Sequence, residues 1–188
     1  MSAIEIEESK LSRFLFGNTR LSILWLIIRV YIGYQWIIAG WSKLGNPMWL
    51  GENSGVAIKN FLVHALGQNP NMSDWFSYFV QSVVLKHPVV FSYLVVYGEI
   101  IVGVTLILGL LTGIAAAFGM FMNINYLFAG AISINPTMIV LEIILLLAWR
   151  TAGWIGFDRY LLPSFGVSWM TEPIIRKQNK PSFKNTIQ

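Results

Sequence analysis

Among the polar side chains inside stretches apolar enough to cross a bilayer are Arg29, Glu99, Asn123 and Glu142. A charge near the middle of a spanning helix costs about 2.5–3.5 kcal/mol on insertion scales if nothing answers it. Such groups therefore need partners inside the protein, and they are candidates for function by default. A guanidinium, two carboxyls and an amide offer two kinds of chemistry. Arg29 and Glu99 can neutralise each other as a buried pair that fixes helix order, with Asn123 as an interhelical hydrogen bond. Alternatively they line a polar pocket in a helix bundle, one that a small molecule enters. Two acids and one deep arginine exceed what a single order-fixing pair needs, which favours the pocket.

The elements that must position these groups are apolar helices. The chain has 188 residues, 55% of them hydrophobic and 12% charged, with mean hydropathy +0.61. A soluble domain usually carries about twice that charged fraction, so the composition favours a membrane protein. Four spans are expected at about 21–42, 88–110, 112–131 and 136–157. In the first, Arg29, Gly33, Trp36 and Gly40 recur at helical spacing and share one face, and the small residues allow a neighbour to approach. In the second, Gly103 lies one turn below Glu99. In the third, Asn123 shares a face with Gly119 and Tyr126, while Asn125, two positions on, faces elsewhere. In the fourth, Glu142, Leu146, Trp149 and Gly153 form a stripe bordered by Arg150.

Residues 43–87 differ in kind. Asn53 or Ser54 is expected to cap one short helix through Leu66, and Ser73 or Asp74 a second before Pro88. Both are too short or too polar to span about 30 Å of hydrocarbon. They read as an outer cap of amphipathic helices, with Trp49, Trp75, Phe76 and Tyr78 at interface depth. Residues 1–20 and 163–188 read as polar tails, the first with a surface helix within Ser9–Arg20 or else frayed. Glu5, Glu7 and Glu8 occupy the place of a basic signal-peptide region. Lys10, Arg13, Arg20, Arg159, Arg176, Lys177, Lys180 and Lys184 make the ends the more basic side. The cap holds Lys43, Lys59 and Lys86. Both termini are therefore expected in the cytoplasm and the cap outside. The fold expected is all-α: an integral membrane four-helix bundle with an extracytoplasmic helical cap.

Depth follows from a rise of about 1.5 Å per residue. Arg29 comes out roughly 13 Å from the inner face, Glu99 roughly 16 Å from the outer face, and Asn123 near the same plane. These three are expected to meet in the middle of the bundle, with Glu142 nearer the outside, roughly 9 Å in. Trp36, Tyr97 and Tyr126 can add ring surface and hydroxyl groups, although aromatic residues at this spacing also serve as packing.

Several chemistries are disfavoured. With no cysteine, disulfides and thiolate metal sites are excluded within the chain. His64 and His87 fall in the cap rather than inside a span, which argues against haem or zinc ligation. No glycine-rich nucleotide motif or nucleophile elbow occurs. The net charge of +4 reads as a topology signal and attraction to anionic lipid rather than nucleic-acid binding. No inverted repeat or broken helix pair suggests a transporter.

Arg29-x-x-x-Gly33, Ala39-Gly40-x-x-Lys43-Leu44, Gly98-Glu99 with Gly103, Gly109 and Gly113, and Asn123 in a small-residue helix resemble the DoxX/DoxD family of small four-helix membrane proteins. The resemblance covers roughly residues 21–162, and the enlarged 43–87 segment looks more like the DoxD type. It implies a prokaryotic cell-membrane protein. It also implies a subunit of a thiosulfate:quinone oxidoreductase, working with a DoxA-like second subunit and passing electrons to a quinone. On that reading Arg29 polarises a quinone carbonyl and Glu99 relays a proton. Trp36, Lys43, Tyr97, Asn123, Tyr126 and Glu142 line the pocket. Lys43 and Lys86 on a positive outer rim favour an anion such as thiosulfate. The alternative is a non-catalytic anchor or small-molecule-binding subunit for a partner redox enzyme. The oligomeric state is left open, a homo-oligomer included.

Overall fold

A computed structural model describes residues 9–167, and every regular element among them is helical. Helix α1 (Lys10–Gly17) starts at Ser9, whose hydroxyl accepts a hydrogen bond from the Ser12 amide at 3.1 Å. A short 3-10 turn leads into α2 (Ser22–Leu44). Then follow α3 (Val56–Gln68), α4 (Asp74–Phe79) running into a π turn (Val80–Val84), and α5 (Pro88–Leu108). The remainder comprises α6 (Thr112–Phe128), α7 (Asn135–Leu147), α8 (Trp149–Ala152) and α9 (Asp158–Leu161), the last ending in a 3-10 turn. Glu5, Glu7 and Glu8, and the basic and proline residues from Pro173 to Lys184, lie outside the described residues.

Helices α2 and α5 form one closely packed pair and α6 and α7 another, joined by lighter α5–α6 and α2–α7 contacts. The α2–α5 pair is antiparallel, and glycine decides how close it comes. A Cβ on Gly33 would stand 2.8 Å from the Gly103 carbonyl oxygen, and one on Gly40 would stand 3.2 Å from the Glu99 Cβ. The shared glycine face read from the sequence is thus the α2–α5 seam. The core between the pairs is built from Trp25, Ile32, Trp36, Val102, Leu106, Ala116 and Leu145.

Two segments, Thr19–Leu44 and Pro88–Leu108, are long and apolar enough to cross a bilayer, with mean hydropathy 1.6 and 2.0. Only 33% of each apolar window is buried within the protein, far less than the core helix of a soluble domain. Ile23, Ile27, Leu94 and Ile101 are among the large apolar side chains left on the outside. Thr112–Phe128 and Asn135–Leu147 are apolar but shorter, about 26 and 20 Å at the usual rise. The fourth apolar stretch is not one helix to 157. It breaks at Ala148 (φ −89°, ψ 14°) and stops at Gly153, because residues 153–158 turn back to meet Arg29.

Residues 43–87 do fold as two short helical pieces. The first begins at Gly55 rather than at Asn53 or Ser54. Gly55 has φ +88°, and a Cβ there would collide with the Pro88–Val89 backbone. Ser73 does precede α4, but its hydroxyl makes no capping bond. Ile58, Leu62, Phe76, Val80 and Val84 form a second apolar cluster that closes over the end of the helix pairs. His64 and His87 are exposed on this segment.

Candidate ligand cavity beneath the cap

Polar groups gather near the 43–87 segment in two linked networks. In the first, the Lys43 ammonium donates to both Glu99 oxygens at 2.7 Å, and the Tyr126 hydroxyl donates to Glu99 Oε1 at 2.6 Å. Lys43 also reaches back to the Ala39 carbonyl at 3.3 Å and sits 5.4 Å from the centroid of the Trp49 ring. In the second, Glu142 accepts from Trp36 Nε1 at 2.9 Å and from Asn123 Nδ2 at 2.8 Å. The Trp36 and Tyr126 rings, 6.3 Å apart, join the two networks. Gly119 makes room for the second: a Cβ there would lie 2.5 Å from Glu142 Oε1.

Local sequence explains each placement. Glu99 occupies the interior face of α5 with Val96, Val102, Gly103 and Leu106, all buried. Asn123 shares the interior face of α6 with Ala116 and Gly119, and Glu142 that of α7 with Met138 and Leu145. Lys43 stands in the last turn of α2, where a cation also meets the carbonyl end of the helix favourably.

Arg29 does not meet Glu99. In the antiparallel α2–α5 pair Arg29 is level with Gly109, while Glu99 is level with Gly40. Eleven residues of α2 separate the two levels, roughly 16 Å. The depth estimate failed because it set the start of α5 level with the end of α2. In the structure its start extends beside the 43–87 segment, where Ser92 Oγ donates to the Trp49 carbonyl at 2.7 Å. The Arg29 guanidinium instead donates to the carbonyls of Ala152 at 3.0 Å and Ile155 at 2.6 Å. Its countercharge is Asp158, whose carboxylate accepts from the Leu111 amide at 2.5 Å and the Thr112 amide at 2.9 Å. Asp158 thereby caps the start of α6. Gly109 (φ +65°) and Gly156 leave space for the guanidinium, and a Cβ on Gly109 would strike it. The far end of the helix pairs is thus closed by a structural latch, and sequence reasoning missed Asp158.

Above the two networks lies a cavity of about 730 Å³. This volume falls within the range of pockets that take small organic ligands. Trp36, Lys43, Glu99, Asn123 and Tyr126 line its floor, and its walls and roof are mostly apolar, including Trp49, Phe76, Phe79, Val80 and Val84 from the 43–87 segment, with Gln35, Asn125 and Asn135 as the polar exceptions. Glu142 stands behind Trp36 and Asn123 and is fully buried. Tyr97 is not part of the site: it is 47% exposed and pairs with Tyr93, ring centroids 6.0 Å apart. It lies two positions from Glu99, about 200° around the helix, and so faces away. Of the roof residues, Trp49 and Phe76 were read from sequence as interface aromatics, and Phe79, Val80 and Val84 were not singled out. Their signal was the spacing of Phe76, Val80 and Val84, which places them on one helical face.

These features define a helical protein of membrane type with a mostly apolar, partly open cavity over a polar floor. The DoxX family model matches residues 24–131, more than half of the chain, and the chain belongs to the DoxX family, which is membrane-associated. The match carries nothing specific to the DoxD type. No curated protein and no solved structure matches the chain.

Proposed function

We propose that this chain is a prokaryotic four-span membrane protein that binds an amphipathic ligand, a quinone, in the cavity beneath an extracytoplasmic cap. On this reading it is the quinone-binding subunit of an oxidoreductase of the thiosulfate:quinone type. The observation that carries the reading is the cavity itself: apolar walls for a hydrocarbon tail above the Lys43–Glu99–Tyr126 cluster. Both termini lie in the cytoplasm, and the bilayer covers the exposed apolar faces of α2 and α5.

Two thiosulfates joined through a new S–S bond yield tetrathionate and two electrons. Quinone takes up those electrons with two protons to give the quinol. Glu99, held by Lys43 and Tyr126, is the group placed to pass protons at the cavity floor. Lys43 replaces Arg29 as the cation of the site, and Arg29 has a structural role. Lys43 is already matched by Glu99, so the floor has no spare positive charge for a dianion. That favours thiosulfate reacting on a DoxA-like second subunit, with the quinone side here. It equally favours the second reading, a non-catalytic ligand-binding subunit for a partner redox enzyme.

The test is reduction of a short-chain quinone by the purified protein with its DoxA-like partner, dependent on thiosulfate. The catalytic reading expects turnover that Glu99→Gln abolishes while quinone still binds. Binding without turnover leaves the non-catalytic reading. Absence of both contradicts the proposal.

A further inference from the structure

The hydrogen-bond bookkeeping of the cavity floor is lopsided. Nearly every donor hydrogen on Lys43, Tyr126 and Asn123 already serves an acceptor: Lys43 serves Glu99 and Ala39, Tyr126 serves Glu99, and one of the two Asn123 Nδ2 hydrogens serves Glu142. Asn123 Oδ1 has no partner, although Asn123 is fully buried and lines the cavity. The Tyr126 oxygen and the Glu99 carboxylate retain further lone pairs. What the floor leaves open is a set of acceptors against a single amide hydrogen of Asn123. A buried acceptor left unmatched costs free energy that a donor on a ligand recovers.

We propose that the cavity selects ligands whose ring head group carries a hydroxyl donor, which Asn123 Oδ1 accepts, over ligands of the same shape with an apolar substituent in its place, and by a smaller margin over those with a carbonyl. Gln35 on the side wall offers both a donor and an acceptor and discriminates neither. The inference rests on the cavity being an amphiphile site and names the head group that site prefers. Of the two members of a quinone couple, it holds the hydroquinone more tightly. A tenfold preference for the reduced form raises the potential of the bound couple by about 30 mV.

The test uses a redox-inert pair on the purified full-length protein in nanodiscs: a 4-alkylphenol and the matching 4-alkyltoluene, equal in tail and nearly equal in size. Transfer from water into an apolar pocket alone favours the toluene, because a buried hydroxyl without a partner is penalised. The acceptor floor reverses that order, and the phenol is expected to bind about tenfold more tightly. Asn123→Leu is expected to return the preference to the toluene, with toluene binding retained as the check that the variant has folded. Should the variant fail that check, the wild-type ratio alone decides. Toluene binding at least as tight as phenol in the wild type overturns the inference and leaves the amphiphile cavity standing. Binding of neither probe overturns both the inference and the cavity reading.

Discussion

Breaking the Lys43–Glu99 pair should cost unequal amounts from its two ends. The ammonium lies 2.7 Å from both carboxylate oxygens, with the Glu99 side chain 0% exposed and that of Lys43 20% exposed. Two unit charges 4 Å apart at an effective dielectric of 20 attract by about 4 kcal/mol, before desolvation is subtracted. Lys43→Met leaves a buried carboxylate with only the Tyr126 hydroxyl, and removing one partner of a buried pair costs about 3–5 kcal/mol. Glu99→Gln keeps an amide that can still accept from Tyr126, and the long Lys43 side chain can swing toward the interface. Its loss should be smaller, about 1–2 kcal/mol. The double variant should be less destabilised than the sum of the two by about 2 kcal/mol, which is roughly thirtyfold in the unfolding equilibrium. The assay is reversible unfolding in mixed micelles, followed by the fluorescence of the eight tryptophans. Losses that add within about 0.5 kcal/mol would mean that the two side chains act independently, and the floor described above would be wrong.

Other consequences are equally open to measurement. Arg29→Leu and Asp158→Ala should each destabilise the fold by about 1–3 kcal/mol, since the first strands the Ala152 and Ile155 carbonyls and the second frees the start of α6; micellar unfolding reads this, and ligand affinity per folded molecule should not change. Gly103→Ala should cost about 1–3 kcal/mol, because its Cβ would meet Ile37 Cγ1 at 2.6 Å and the Gly33 carbonyl oxygen at 2.8 Å; the same unfolding assay tests it. Gly119→Ala should push the Glu142 carboxyl off Trp36 and weaken ligand binding severalfold, measured by calorimetry, with the bundle intact. The native chain has no cysteine, so single cysteines report topology cleanly. Ser12→Cys should react with an impermeant maleimide only from the cytoplasmic side, and Asn71→Cys only from outside.

Helical periodicity made faces legible but not heights. The stripe through Gly33, Trp36 and Gly40 is the packed face of α2, and the interior positions of Asn123 and Glu142 follow from the same spacing. Trp36, Asn123 and Glu142 could therefore be named before their hydrogen bonds were known. Height along the bundle depends on where each helix begins relative to its neighbour, and loops set that. The 43–87 segment lifts the start of α5 beyond the end of α2, which moved Glu99 away from Arg29 and toward Lys43. Lys43 had looked like a rim charge because it ends an apolar run, yet its four-carbon stem lets it turn back into the bundle. The Arg29 latch was hidden for a related reason. Its acceptors are backbone carbonyls of Ala152 and Ile155, and no side-chain pattern announces a carbonyl. Tyr97 was misplaced by overlooking that a residue two positions from an inward-facing one points outward.

The central claim is that the ligand sits between the capped roof and the Lys43–Glu99–Asn123–Tyr126 floor. A photoreactive short-chain quinone, bound in nanodiscs and mapped by mass spectrometry after irradiation, tests it most directly. The account predicts adducts within Trp36–Trp49 and Phe76–Val84, suppressed by excess unlabelled quinone. Saturable adducts confined to the shallow outer groove of Leu26, Val30 and Tyr34 would contradict it.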